Sequence, residues 1–243
     1  MINKDKFFSE DISQQDFKFD KNVVNVFDDM VSRSVPCYDL SQAMAISLAE
    51  KFITDNSTIV DLGCSTATLL IKLQKKTKNK NLTLIGFDNS QAMLDAAKKK
   101  LKKETYKNKF EFKLVNLEDE LDFNNSSVVF MNYTLQFIRP LYRENLLKNI
   151  FKKIKKNGCL ILMEKVLENN SMFNRMYIDL YYEYKNTRGY SKVEISRKRE
   201  ALENVLIPYR TDENMKLLKD SGFKSVDIFF KWFNWVGIIA VKN

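Results

Sequence analysis

Four short segments of this 243-residue chain carry polar residues at spacings suited to holding a nucleotide. In IVDLGCSTATLL, Asp61 ends an apolar run, Gly63 follows in a tight turn, and a helical pattern opens directly after it. A glycine there lets the backbone come close to a ligand, and a helix start offers free N–H groups. One glycine is not the three of a dinucleotide fingerprint, so the turn alone reads equally well as plain strand-to-helix geometry. About 25 residues on, IGFDNS places Asp88 where folds of this kind hydrogen-bond a ribose diol. Asp88, Asn89 or Ser90 would alternatively cap the next helix, Ser90 being well suited to it. In VNLEDEL, Asn116 and Leu117 would flank an adenine, and MNYTLQF ends an apolar run with Asn132. That asparagine is either a turn former or, at the mouth of a sheet, a ligand contact.

Other chemistries are excluded. The chain has no histidine, so Ser-His-Asp and Cys-His catalysis, HExxH metal sites and imidazole proton shuttles are ruled out, and no metal is expected. Cys37, Cys64 and Cys159 are odd in number and without a CxxC pair, which reads as free buried thiols. No apolar run approaches the roughly 20 residues that span a bilayer, and the N-terminus lacks a signal-type apolar region. A cytoplasmic protein without membrane contact is expected. The net charge of +9 would suit an anionic partner such as tRNA, but much of it lies in KLQKKTKNKN and AAKKKLKKETYKNK, which read as solvated helix faces.

The elements that must position these residues alternate. Buried strands are predicted at 57–63, 82–88, 110–115, 127–133, 159–166, 224–230 and 235–242, with helical stretches between the first five. This is a doubly wound, Rossmann-like α/β sheet of seven strands, parallel with a C-terminal antiparallel hairpin joined across Lys231–Asn234. One domain over 1–243 is expected, with a helical N-terminal segment (1–56) and a Tyr- and Arg-rich helical insertion (167–210). Ligands of open α/β sheets sit beyond the carboxyl ends of the strands, so both segments are placed to cover the site.

Over nearly its whole length the chain resembles the carboxy-S-adenosyl-L-methionine synthases, a branch of the S-adenosylmethionine (SAM)-dependent methyltransferase superfamily that serves tRNA wobble-uridine 5-oxyacetic acid synthesis. The resemblance rests on FDxxVxxVFDDMVSRSVPCY (19–38), IVDLGCS (59–65), FDNSQAM (87–93), VVFMNYTLQF (128–137), LMEK (162–165) and NTRGYSKVEISRKREALENVL (186–206). It implies that SAM is bound by Tyr38, Gly63, Cys64, Ser65, Asp88, Asn89, Asn116, Leu117, Asn132 and Arg199, and that carboxy-SAM is the product. Read without it, Arg199 is one charge among Lys192, Arg197 and Lys198 on a solvated helix; with it, the guanidinium would take the product's carboxylate in bidentate geometry.

The resemblance further implies that prephenate loses carbon dioxide and hydroxide to give phenylpyruvate, supplying both the base and the carboxyl donor. The protein would then act by positioning and electrostatics. Prephenate is a dianion, so a cationic pocket is expected, with Arg33, Arg139 and Arg199 as candidates; Arg199, Arg33 and Tyr38 are the expected catalytic set. The family forms homodimers, and no direct nucleic-acid contact is required. Relative to the family pattern the turn after Ser65 is shorter, running straight into Thr66 and Ala67, and Asn116 replaces an aspartate, which implies a tighter loop and weakened adenine binding. Two other classes compete: a methyltransferase acting on tRNA or a small molecule, and a non-catalytic SAM-fold adaptor using Tyr177, Tyr181, Tyr182 and Tyr184 as an interface.

Overall fold

The computed structural model describes residues 5, 17, 19–77, 80–103 and 105–243; most of the expected N-terminal cover before residue 19 lies outside these. Asp20 opens the first helix, α1 (Lys21–Ser34), by accepting from Asn22 and Val23 N–H, as an aspartate at a helix start is suited to do. The VPC turn separates it from α2 (Tyr38–Ala49). There follow β1 (Thr58–Leu62), α3 (Thr68–Lys76), β2 (Thr83–Asp88), α4 (Gln91–Leu101), β3 (Lys109–Leu114), β4 (Ser126–Asn132), α5 (Pro140–Lys153) and β5 (Ile154–Lys165). The insertion contributes α6 (Ser171–Thr187) and α7 (Lys192–Leu202), and α8 (Thr211–Asp220) leads into the hairpin β6 (Ser225–Trp232) and β7 (Trp235–Val241).

These strands form one sheet in the order β3-β2-β1-β4-β5-β7-β6. β1 to β5 pair in parallel, while β7 runs antiparallel to both β5 and β6. The chain order reverses between β1 and β4, and in such sheets that crevice is where ligands bind. The central strands are apolar on both faces because helices cover both, giving two cores: one around Val60, Phe87, Met131 and Leu160, the other around Ile59, Leu84, Phe130 and Ile161.

The seven-stranded doubly wound sheet agrees with the expectation from sequence. Two local differences have clear causes. β5 starts at Ile154 rather than 159, because Asn157 takes a left-handed conformation (φ 60°) and its N–H bonds to the Lys242 carbonyl, so what reads as a turn is an irregularity within the strand. The closing hairpin turns at Phe233–Asn234 only, since Lys231 and Trp232 still pair with Val236 and Trp235. Among the described residues, no helix is long and apolar enough to cross a membrane.

Candidate active site

The carboxyl ends of β1, β2, β4 and β5 open into a cavity of about 1050 Å³, roofed by α1, α6 and α7. One end of it is made of backbone. The N–H groups of Gly63 and Cys64 both bond to the Phe87 carbonyl (2.8 and 2.9 Å), folding the turn after β1 onto the end of β2. Gly63 has φ 77°, and a Cβ there would lie 2.3 Å from Thr134 Oγ1, so this position requires glycine on both counts. The turn is tight: Ser65 (φ 48°) and Ala67 (φ 58°) also hold left-handed conformations, unusual for residues with a side chain. An ion pair clamps it from outside. Lys100 Nζ lies 2.6 Å from Asp28 on α1, and both groups bond the hydroxyls of Thr66 and Thr68.

Asp88 is buried, with one carboxylate oxygen accepting from Ser65 N–H and the other from Ser90 N–H, both at 2.9 Å. Ser90, not Asp88, caps α4, accepting from Met93 N–H. Asp88 thus braces two turns and faces the cavity with lone pairs to spare. Asp61 lies beside it, and burial with the nearby Asp88 charge pushes its carboxyl up to about 8. Asn89, Asn116 and Leu117 line the same end; Asn116 accepts from Glu118 N–H, and Leu117 is buried.

Asn132, at the end of β4, is the most telling group. Its side-chain nitrogen and oxygen are both buried without a hydrogen-bond partner, although the residue lines the cavity. Buried amides are almost always satisfied, so this one is shaped for a bound molecule. The loop beyond it is held by Glu164, which accepts from Leu135 and Gln136 N–H at 3.0 and 2.8 Å. Burial raises that carboxyl to about 8, against the opposing pull of the Arg143 guanidinium and the backbone donors. Arg143, wholly buried, in turn donates to the carbonyls of Ile138, Gln136 and Ile207.

The other end of the cavity is aromatic and cationic. Tyr38, Tyr133, Trp235 and Tyr181 form a chain of ring contacts, with centroids 6.4, 5.5 and 5.5 Å apart. Burial raises the phenol pKa of each of the three tyrosines. Lys165, Lys185 and Lys198 line this end, from β5, α6 and α7.

Of the residues singled out from sequence, Asp61, Tyr38, Gly63, Cys64, Ser65, Asp88, Asn89, Asn116, Leu117, Asn132 and Arg199 all line this cavity; Arg199 and Arg139 do so from its exposed rim. Arg33 does not line it. Its guanidinium donates to the Asp29 carboxylate and to the carbonyls of Asp5 and Arg188, and lies over the Tyr190 ring, so it is a structural cation behind the wall. Lys198, grouped from sequence with solvated charges, is instead buried at 8% exposure. Lys165, Lys185 and Trp235 were missed. Only Lys165 carried a local signal, a cation at the carboxyl end of a strand in LMEK.

A family model described as Methyltransferase domain matches residues 53–219. The chain is 45% identical over 242 residues to the carboxy-S-adenosyl-L-methionine synthase of Methylococcus capsulatus, covering 99% of this chain and 100% of that one. It is 46% identical over 240 residues to the enzyme of the same name from Nautilia profundicola, covering 98% and 100%. Among solved structures, an O-methyltransferase family protein from Burkholderia thailandensis aligns with a TM-score of 0.66 at 16% identity, covering 95% of this chain. Human N-acetylserotonin methyltransferase in complex with SAM aligns with a TM-score of 0.61 at 12% identity, covering 92%. The chain spans 65% and 55% of those two proteins, and at such identities the likeness is one of fold.

Proposed function

The chain belongs to the carboxy-S-adenosyl-L-methionine synthase family, and we propose that it converts SAM and prephenate to carboxy-SAM and phenylpyruvate. The observation that carries this reading is the shared cavity. Arg199, on a helix outside the common core, lines the same space as the Gly63–Ser65 turn, Asp88 and the unpartnered Asn132. An ordinary methyl transfer consumes a methyl group and has no need of a guanidinium near it, whereas a methyl group that gains a carboxylate does.

The residues present suit SAM. Asp88 has lone pairs for the ribose hydroxyls, and Leu117 and Asn116 flank the adenine, the asparagine offering its amide oxygen to the adenine amino group. The backbone of the Gly63–Ser65 turn and Tyr38 enclose the methionine part, and Asp61, raised to about 8 when alone, would ionise beside a bound ammonium. In the reaction, prephenate dianion breaks down to phenylpyruvate, carbon dioxide and hydroxide. The hydroxide takes a proton from the sulfonium methyl to give water, and the resulting ylide carbon bonds to the carbon dioxide. No side chain need act as base, in keeping with a chain that lacks histidine. The protein holds the two substrates together, excludes water with its aromatic wall and stabilises the new carboxylate through Arg199.

We read the product as the donor for tRNA wobble-uridine modification, and the protein as a cytoplasmic homodimer. The exposed Met172, Phe173 and Met176 on α6 support a contact between copies, which sedimentation would test. Mass spectrometry of the small molecules formed from SAM and prephenate tests the activity. Carboxylated SAM with phenylpyruvate is expected, and SAM returned unchanged would refute the reading.

A further inference from the structure

The cavity, at about 1050 Å³, stands at the upper edge of the roughly 300–1,000 Å³ range of small-molecule sites. The nucleotide-shaped groups cluster at the β1–β2 end, leaving the end beneath β5, α6 and α7 without an assigned occupant. Lys165 Nζ and Lys185 Nζ lie 5.1 and 5.2 Å from the centroid of the same Tyr181 ring. Lys198 Nζ donates to Ser34 Oγ at 2.9 Å and stands 5.7 Å from the Tyr190 ring. Among the described residues, none of the three has a carboxylate within ion-pair distance. Lys185 and Lys198 are only 4% and 8% exposed. Trp235, paired with Lys165 across β5 and β7, lines the same space with its indole N–H buried and unpartnered.

Buried cations are ordinarily paired, and crowding three of them with no ion-paired carboxylate among the described residues, Asp5 acting on Lys185 and Lys198 only from a distance, is costly. Burial drives the Lys165 and Lys198 ammonium groups down to about 8, and burial with repulsion from Lys198 and from Lys165 drives Lys185 down to about 7. An arrangement that is unfavourable when empty and has room for a second molecule is the signature of a ligand site.

We propose that Lys165, Lys185 and Lys198, with the Trp235 indole N–H, form the binding site for both carboxylates of a small dicarboxylate co-substrate. The site rests on the two-substrate reading above and assigns the donor end of the cavity to lysines rather than to Arg33. Arg199, on the helix that carries Lys198, lines the cavity from its exposed rim. Anion binding raises the lysine pKa values, so near pH 8 it takes up protons, and affinity falls as pH rises through the lysine range. Among the described residues, the charged and titratable groups facing the cluster are Asp5, Arg33 and Tyr190 around Lys198, Asp5, Tyr181 and Tyr182 around Lys185, and Tyr181 beside Lys165, with Asp5 the one acid among them.

Calorimetric titration of prephenate, and separately malonate, into protein saturated with S-adenosylhomocysteine tests this without turnover. Lys185→Met and Lys198→Met are each expected to weaken both dicarboxylates about tenfold or more, as loss of a charged hydrogen-bond partner does. S-adenosylhomocysteine affinity should stay within about threefold of wild type, which also shows that the variants fold. Wild-type binding at pH 8 should show proton uptake between buffers of different ionisation enthalpy, and Lys165→Met/Lys185→Met/Lys198→Met should not. Unchanged dicarboxylate affinity in both single variants would overturn the proposal. So would an equal loss of nucleotide affinity, which would place the nucleotide's amino-acid carboxylate at the lysines, or a wild type that binds neither dicarboxylate. If wild type binds malonate through the lysines yet makes no carboxy-SAM, the site stands and the synthase reading falls. If both single variants make carboxy-SAM at the wild-type prephenate KM, the reading stands and the site falls.

Discussion

The two ends of the cavity are built by different means. The β1–β2 end is backbone: Gly63 and Cys64 N–H on the Phe87 carbonyl, Ser65 and Ser90 N–H on Asp88, with Asp61 beside it. The β5–β7 end is side chain: lysines from three separate elements, each ammonium within 6 Å of a tyrosine ring centroid, beside a chain of aromatic rings. Turn geometry is local and cheap to specify. A constellation drawn from β5, α6 and α7 exists only when the chain has folded, and it is here that one member of a fold can acquire a chemistry its relatives lack.

The largest expected effect falls at the exposed rim of the cavity. Arg199→Ala should cut carboxy-SAM formation by about 100-fold or more, while leaving SAM affinity nearly unchanged, because the guanidinium is needed for the carboxylate that only the product carries. Product quantified by mass spectrometry, alongside SAM binding by calorimetry, checks both halves. Near-normal product would return Arg199 to the solvated helix face, where Glu200 lies 3.8 Å from its guanidinium.

The second effect sharpens the contrast from the nucleotide side. Asn132→Leu keeps the volume but removes both orphaned polar atoms, so SAM affinity should fall about tenfold, the worth of one or two hydrogen bonds in a buried site. Because the unliganded protein gains no unsatisfied group, its thermal midpoint should hold or rise. A loss of midpoint instead of affinity would make Asn132 a turn former, the other reading open from sequence.

What was legible in the sequence follows the same division. The strands, their order and the turns at Gly63 and Asp88 were readable because apolar runs and turn residues are local signals. The lysine end was not. Lys185 sits in a helix whose pattern is amphipathic, and Lys198 follows Arg197 and precedes Arg199, so nothing in spacing marks either as buried. Arg33 was misplaced for the converse reason. Its position next to Ser34 and Val35, which do line the cavity, says nothing of which way a helical side chain turns, and Asp29 one turn earlier on α1 draws it away.

The smallest effect tests whether the backbone end is held in shape by its own turn or by the clamp around it. Ser65 stands at φ 48°, a conformation that costs a non-glycine residue on the order of 1 kcal/mol, whereas glycine enters it freely. Glycine also frees the unfolded chain, which returns part of that gain, so Ser65→Gly should raise stability by no more than about 0.5 kcal/mol. The Ser65 N–H still reaches Asp88 in the variant, and Asp28 and Lys100 still grip Thr66 and Thr68, so SAM affinity should stay within about twofold. Denaturant melts and calorimetry on the same preparation separate the outcomes. If stability rises while SAM affinity drops about tenfold, the serine side chain, not the clamp, prepares this end of the cavity, and the division between a backbone end and a side-chain end loses its sharpest example.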